Sequence, residues 1–169
     1  MKYNLTEVFE NAGKVVTESF PLEYDAVSIR GEEYTLTDAS DVVVTATNIE
    51  KGKANVKCEF NADVLIPCDR CLEPVKTEIT VSSENVFYSP ENSEQMEEEA
   101  QFMDGYKLDV DELILSEILL EWPNKILCRD DCKGICTVCG KNLNEGECGC
   151  DRFVPNPAFA GLSELFKFD

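Results

Sequence analysis

The chain of 169 residues contains no histidine and a single tryptophan. Without histidine, neither a Ser-His-Asp triad nor a Cys-His nucleophile pair can form within it, and the histidine-ligated zinc common in catalytic sites is excluded as well. The sequence also lacks a glycine-rich phosphate loop. These absences predict that the protein is not an enzyme and that it has no catalytic residues.

Long apolar runs are absent as well. No stretch approaches the roughly 18 residues that a membrane span requires, and residues 1 to 14 lack the apolar centre of a signal peptide. The sequence therefore predicts a cytoplasmic protein without a membrane partner. In the cytoplasm thiols stay reduced, so clustered cysteines indicate a metal site or a redox centre rather than a disulfide framework.

Basic residues are scarce, since 15 lysines and arginines stand against 34 aspartates and glutamates and give a formal net charge of −19. Naked nucleic acid would be repelled overall. Lys51, Lys53 and Lys57 form a small local basic group, which makes only a weak case for direct RNA binding. The charge instead favours a basic macromolecule as partner, and the alternative is that it serves only solubility.

The first half of the chain has the pattern of antiparallel β-structure. Apolar residues alternate without a break from Lys53 to Ile66, as in a long half-buried strand, and β-branched segments flank it at 41–49 and 75–81. Cys58 lies on the apolar face of the long strand, so it is interpreted as a core residue. Shorter β-like pieces precede this meander at 14–20 and 26–37. The predicted fold is α+β, with a meander or barrel-like sheet, one or two helices and a cysteine-rich zinc-binding segment.

The second half begins with a strongly acidic stretch, since residues 89 to 112 carry nine carboxylates and one lysine. This stretch predicts a mobile, solvated loop. Asp109 and Glu112 then have the spacing of a capping box, and Pro123 is expected to end the helix that follows. A second, short helix is predicted over 156–168, with a stripe formed by Phe159, Leu162 and Phe166.

Three regions follow from these patterns. Residues 1–88 form the β region with a Cys-x2-Cys hairpin tip, and residues 89–108 form the acidic loop. Residues 109–169 hold a helix, the cysteine cluster and the terminal helix. The three are expected to unfold as one cooperative domain, because 169 residues are enough for a single core.

Six of the nine cysteines lie between residues 127 and 151. Cys136 and Cys139 are separated by two residues and followed by a glycine, which is typical of a zinc knuckle. Cys148 and Cys150 return after a short loop and can place a second sulfur pair opposite the first. Four thiolates at about 2.3 Å from one ion form a closed structural zinc site.

Four other cysteines are left at chelating spacing. Cys68 and Cys71 lie at the predicted hairpin tip, and Cys128 and Cys132 follow the predicted helix. Because zinc strongly favours a complete shell, we expect these two pairs to share a second site, which gives about two Zn²⁺ ions per chain. The pairing of cysteines across a fold cannot be read from the sequence, so it stays an expectation.

The sequence disfavours two other interpretations of the Cys68 and Cys71 pair. A redox-active Cys-x2-Cys motif opens a helix, whereas this motif leaves a strand and meets Pro74 three residues later. A zinc deaminase needs a His-x-Glu or Cys-x-Glu partner motif, and the nearest candidate, Cys58–Glu59, has the wrong spacing. A thiol redox or metal-handling protein remains the alternative to a protein with structural zinc.

The sequence resembles a known family at several motifs in the same order: "PCDRCLEPV", an acidic stretch, "LDVDELILSEILLEWP", "LCRDDCKGICTVCGKNLNEGECGC" and "NPAFAGLSELFKF". It is similar to the YceD family of large ribosomal RNA accumulation proteins. The resemblance implies a non-enzymatic factor for large-subunit ribosomal RNA accumulation and ribosome biogenesis. Together with the acidic charge, it predicts a basic ribosomal protein or a large-subunit precursor particle as partner.

Overall fold

The computed structural model describes residues 1–95 and 102–151, and the chain folds into two compact units. The first unit is formed by Met1–Ile66 and Pro74–Ile126, and the second by Pro67–Glu73 and the chain from Leu127 onward. The helix expected over 156–168 lies outside the described residues. Within the described ranges, no helix has both the length and the apolar character needed to cross a membrane.

A six-stranded antiparallel sheet forms the body of the first unit. It has the order β2-β5-β6-β4-β3, and β7 pairs with β6 as well. The strands are β2 Val15–Phe20, β3 Ala26–Ile29, β4 Glu32–Ala39, β5 Val42–Glu50, β6 Lys53–Pro67 and β7 Pro74–Tyr88. Leu36 pairs with Val64 and Val43 pairs with Glu59, so β4 and β5 follow one another along β6. The predicted meander is confirmed, and the sheet is open rather than closed into a barrel.

A second, three-stranded sheet has the order β1-β9-β8. Its strands are β1 Lys2–Asn4, β8 Met103–Asp104 and β9 Lys107–Asp109, and a short helix, α1, spans Thr6–Glu10. Within the stretch 89–108, predicted as a mobile loop, the described residues include a 3₁₀ helix at Pro90–Gln95 and the strands β8 and β9, and 96–101 lie outside the described residues. Leu108 is fully buried and pairs with Tyr3. The local acidic composition gave no sign of this pairing, because the partner strand lies at the other end of the unit's sequence.

Helix α2 spans Val110–Leu120 and begins as the sequence predicts. The carboxylate of Asp109 accepts hydrogen bonds from the backbone N–H groups of Asp111 and Glu112, which satisfies two of the donors left free at a helix start. The helix ends three residues before Pro123, at Leu120. Its buried side chains are Val110, Leu113, Ile114, Glu117 and Ile118.

The alternating residues of β6 form the centre of the core. Ala54, Val56, Cys58 and Val64 have no exposed surface. Burial, together with the carboxylates of Glu117 and Glu59, raises the pKa of Cys58 to about 12. Cys58 is therefore a neutral, apolar core residue, as its place in the alternation predicts.

Asn48 is a buried polar residue that joins α1 to β5. Its side-chain amide donates to the carbonyl oxygens of Val8 at 2.8 Å and Glu50 at 3.0 Å, and its oxygen accepts from the N–H of Gly13 at 3.3 Å. The side chain is only 6% exposed. Because these partners are part of the backbone, the side chain fixes the position of α1 on the sheet.

Replacing Asn48 with alanine should lower the free energy of unfolding by about 1–3 kcal/mol, because it leaves buried backbone groups without partners. Urea denaturation of the metal-loaded protein measures the loss. The matched control is Asn124→Ala, since Asn124 is exposed. Equal stability of the two variants would contradict a role for Asn48 in holding α1.

Candidate metal centres

The loop Pro67–Glu73 between β6 and β7 carries the first pair of cysteines on a tight turn. The N–H of Leu72 donates to the carbonyl of Cys68 at 2.9 Å, and the N–H of Cys68 donates to the carbonyl of Glu73 at 2.8 Å. Leu72 has a φ of 64°, in the left-handed region that favours glycine. The turn thus holds Cys68 and Cys71 side by side at the tip of the β6–β7 hairpin.

This pair meets the cysteines of the segment after α2. The sulfur of Cys68 lies 3.8 Å from that of Cys132, and the sulfur of Cys71 lies 3.5 Å from that of Cys128. All four sulfur atoms lie within 4.8 Å of one another. Four sulfurs placed tetrahedrally about 2.3 Å from an ion would be about 3.8 Å apart, so the cluster, here called cluster 1, has the dimensions of a four-thiolate metal site.

Hydrogen bonds hold the two halves of cluster 1 together. The guanidinium of Arg70 donates to the carbonyl of Cys132 at 2.8 Å, and the N–H of Ile135 donates to the carbonyl of Arg70 at 3.0 Å. The N–H of Cys128 points at the sulfur of Cys68 at 3.4 Å. Such contacts orient ligands and stabilise negative charge on sulfur.

A second cluster, cluster 2, repeats the same turn. The N–H of Gly140 donates to the carbonyl of Cys136 at 2.8 Å, and Gly140 has a φ of 73°. The four sulfur atoms of the cluster again lie within 4.8 Å of one another. They belong to Cys136, Cys139, Cys148 and Cys150. The second turn has Gly140 at the position that Leu72 takes in the first turn. Because glycine has no Cβ, its backbone adopts the left-handed conformation without strain.

Asn144 supports cluster 1 from within the loop of cluster 2. Its amide donates to the sulfur of Cys132 at 3.4 Å, and its oxygen accepts from the guanidinium of Arg129 at 2.7 Å and from the N–H of Lys133 at 2.8 Å. The backbone continues this link, since the N–H of Leu143 donates to the carbonyl of Gly134 at 2.8 Å. Asn144, which lies between the sulfur pairs of cluster 2, therefore helps to hold the Cys132 sulfur of cluster 1 in place.

Backbone donors lower the pKa of one thiol in each cluster. At Cys68, burial raises the pKa, but hydrogen bonds from the backbone of Arg70, Cys71 and Cys128 outweigh it and bring the pKa to about 6. At Cys136, backbone hydrogen bonds in its own turn lower the pKa to about 6. Each cluster therefore offers a thiolate near neutral pH, which is the form that binds metal.

One thiol in each cluster has a raised pKa and keeps its proton at neutral pH when no ion is bound. A hydrogen bond with the thiol of Cys71 is the main cause that raises the pKa of Cys128 to about 12. Cys150 also has a pKa raised to about 12, because of Cys139 and Cys148 beside it. A metal ion would replace these protons, so its uptake would release them.

The two clusters differ in burial. In cluster 1 Cys68, Cys71 and Cys132 are at most 5% exposed, whereas Cys128 is exposed. In cluster 2 only Cys136 is buried. Cluster 2 is therefore the more open of the two to chelators and oxidants.

The structure brings together the residues that the sequence singled out. All eight cysteines expected to bind metal fall into the two expected groups of four, and the ninth, Cys58, lies in the core. Sequence reasoning missed the supporting residues Arg70, Gly134 and Asn144. Their roles come from contacts between segments far apart in the sequence, and only the density of glycine and asparagine around the cysteines hinted at a special loop.

The fold and these clusters define an acidic, antiparallel β protein with two four-cysteine clusters, each of which could hold one metal ion. The family model described as "Large ribosomal RNA subunit accumulation protein YceD" matches residues 56–166, a range that contains all eight clustered cysteines. The chain belongs to this family, which is associated with ribosomal RNA accumulation rather than with catalysis.

Individual relatives are more distant. An uncharacterized protein of Mycobacterium tuberculosis is 31% identical over 101 residues, which cover 58% of this chain and 48% of that protein. The uncharacterized protein YlbN of Bacillus subtilis is 24% identical over 127 residues, which cover 70% of this chain and 74% of that protein. The chain thus spans about half the length of the mycobacterial relatives it matches. No solved structure matches it.

Metal content tests the two clusters directly. We expect about two ions per chain, since four thiolates complete the shell of one ion. Cys71→Ser and Cys139→Ser should each remove one ion, and the control Cys58→Ala should retain both. Elemental analysis of freshly purified, reduced protein measures the ratio, and a single ion in the unsubstituted protein would show that one cluster does not bind.

Gly134 tests the close contact between the two halves of cluster 1. Its φ is 76°, and a Cβ there would lie 2.9 Å from the carbonyl oxygen of Arg70. Gly134→Ala should therefore weaken the hydrogen bond between Ile135 and Arg70 and speed amide exchange at 67–73 and 127–135 by about tenfold, the equivalent of about 1.4 kcal/mol.

The matched control is Gly140→Ala. Gly140 has a similar φ of 73°, but a Cβ there meets nothing within 4 Å. It carries the same backbone strain without the clash. If both substitutions speed exchange at 67–73 equally, the approach of Gly134 to Arg70 is not what holds cluster 1 together.

Proposed function

We propose that the protein is a non-enzymatic, cytoplasmic zinc-binding factor that supports large-subunit ribosomal RNA accumulation by binding a basic ribosomal protein or a large-subunit precursor particle. The observation that carries this proposal is the family match over residues 56–166, which includes most of β6, all of β7 and α2, and both cysteine clusters. The partner class comes from the charge of the chain. The eight cysteines act as ligands in the proposal, and the whole chain unfolds as one cooperative domain when both ions are bound.

Zinc is the metal that the ligands favour. Four thiolates arranged tetrahedrally around one ion are typical of structural zinc or of iron sites. Knuckle turns whose backbone N–H groups point at the sulfur atoms are typical of zinc sites. All-cysteine shells leave no open position for a substrate or an activated water. The clusters therefore support a structural role for the ions and not a catalytic one.

The negative charge is concentrated in the first unit. That unit contains 9 lysines and arginines and 25 aspartates and glutamates, a net charge of −16 out of −19. A surface of this charge attracts a basic protein over long range and repels bare RNA. This favours a ribosomal protein as the direct contact, with RNA levels changed as a consequence.

The second candidate function is thiol redox or metal handling, and the openness of cluster 2 favours it. Cys139 is exposed there, and Cys148 and Cys150 are half-buried. Zinc that is stoichiometric and withstands mild oxidant supports the structural role. Readily exchanged metal or a reversible disulfide supports the alternative.

A pull-down from cells with the protein as bait tests the partner class. Ribosomal proteins should be retained after nuclease treatment, and retention should fall steeply as salt passes ~0.15 M, where the screening length is about 8 Å. The carboxylates of the acidic stretch 89–112 are expected to contribute, so neutralising four of them should slow association by about tenfold at low salt. The four substitutions are Glu94→Gln, Glu97→Gln, Glu98→Gln and Glu99→Gln.

The matched control removes the same charge from exposed positions elsewhere in the first unit. Its substitutions are Glu10→Gln, Glu18→Gln, Glu23→Gln and Glu78→Gln. An equal loss in both variants would mean that net charge matters and the acidic stretch does not. Complete loss of ribosomal proteins after nuclease would contradict the proposal, because RNA would then be the contact.

A further inference from the structure

The outer face of α2 is apolar although it is exposed. Seven of the eleven residues from Val110 to Leu120 are valine, leucine or isoleucine. Four of them are buried against the first unit, but Leu115, Leu119 and Leu120 are 39%, 46% and 74% exposed. Large apolar side chains grouped on one exposed face of a helix mark an interaction surface, so this face has the character of a binding surface.

A groove runs beside this face. It has a volume of about 700 Å³. Leu115 and Leu119 line one side, and the end of β3 with Ile29 lines the other. The remaining lining residues are Ser28, Arg30, Phe102, Glu112 and Ser116. This size and this mixture of apolar surface with a few polar groups suit side chains of a partner segment.

The sheet next to the groove ends in an edge strand. Among the described strands β3 pairs only with β4. Ser28 and Ile29 of β3 line the groove, so the groove lies beside the edge strand β3. The backbone groups of an edge strand are normally covered by other parts of the chain or paired with another strand. Other exposed apolar residues, such as Val15 and Ile49, do not line this groove.

The charges around the groove decide what could fill it. Glu112 lies in the lining, and Glu33 and Glu32 are the β4 residues directly opposite Ser28 and Ile29. Arg30 is the one basic residue in the lining. The first unit as a whole carries a net charge of −16. A second copy of this acidic chain would be repelled, whereas a basic segment would be attracted.

We propose that the groove between α2 and β3 binds a basic, amphipathic segment of a partner protein. Apolar side chains of the segment pack on Leu115 and Leu119, and its lysines or arginines meet Glu112 and the carboxylates of the β3–β4 hairpin. RNA fits poorly here, because the surface is both apolar and acidic. This inference rests on the proposed function and names the surface through which it acts.

The test uses the full, metal-loaded chain and, as probe, the mixture of proteins extracted from large ribosomal subunits and freed of RNA. Leu115→Ser with Leu119→Ser should weaken retention of a basic protein from the mixture at least about tenfold, because the apolar contact is lost. The matched control is Ile49→Ser, since Ile49 is 51% exposed on β5. The control should bind as the unsubstituted chain does.

A photo-crosslinking amino acid at position 119 gives a readout that does not depend on the stability of the double variant. It should join the chain to a basic ribosomal protein, and an equivalent probe at position 49 should not. If the unsubstituted chain retains no protein from the mixture and no large-subunit precursor particle either, the proposed function fails. If it binds and the double variant binds equally well, the function stands and the groove is not its surface.

A self-interface is the remaining outcome. If the probe at position 119 joins two copies of the chain, and sedimentation shows a dimer that the double variant loses, the groove is a contact between copies and the proposal is overturned. A monomer in sedimentation, together with a cross-link to a basic protein, supports the groove as the site for the partner.

Discussion

Repulsion between neighbouring thiolates is the constraint on which the second unit depends, because that unit contains both cysteine clusters. Four sulfur atoms within 4.8 Å of one another cannot all be charged unless a cation lies among them. In the metal-free clusters the charge is kept low by unequal thiols, since Cys68 has a pKa of about 6 and Cys128 one of about 12. With an ion present, each thiolate would be attracted to the cation among the four sulfur atoms. Metal binding would therefore be coupled to the approach of the loop 67–73 to the segment after α2.

Much of the fold was predictable because its signals are local. The alternation along β6 and the cap at Asp109 each depend on a few neighbouring residues, and both appear where the sequence places them. The four cysteine pairs were predictable for another reason, because close spacing limits which neighbouring sulfur atoms can chelate one ion, whereas the sequence does not show which pairs meet. The β1–β9 pairing and the role of Asn144 could not be predicted, since each depends on residues far away in the sequence.

The two knuckle turns show how the same local geometry can be reached with different residues. Both have a backbone N–H donating to the carbonyl of the first cysteine, and both place the residue after the second cysteine in the left-handed region. Gly140 adopts that conformation without strain, whereas at Leu72 it costs roughly 1–2 kcal/mol. Leu72 is 63% exposed, so packing of its side chain does not offset this cost. The hydrogen bonds of the turn and the ligand geometry therefore hold Leu72 in place.

Charge and apolar surface would contribute differently to the proposed binding of a basic partner by the first unit. Its net charge of −16 acts over several ångströms and would mainly speed the approach of such a partner, and added salt would weaken that effect. The apolar face of α2 acts only at contact, where Leu115 and Leu119 would set how slowly a bound segment leaves. In the proposed function, the protein must both find its partner among many basic proteins and release it afterwards. Moderate apolar contact beside a strongly charged surface would meet both needs, because binding would be fast and its lifetime limited.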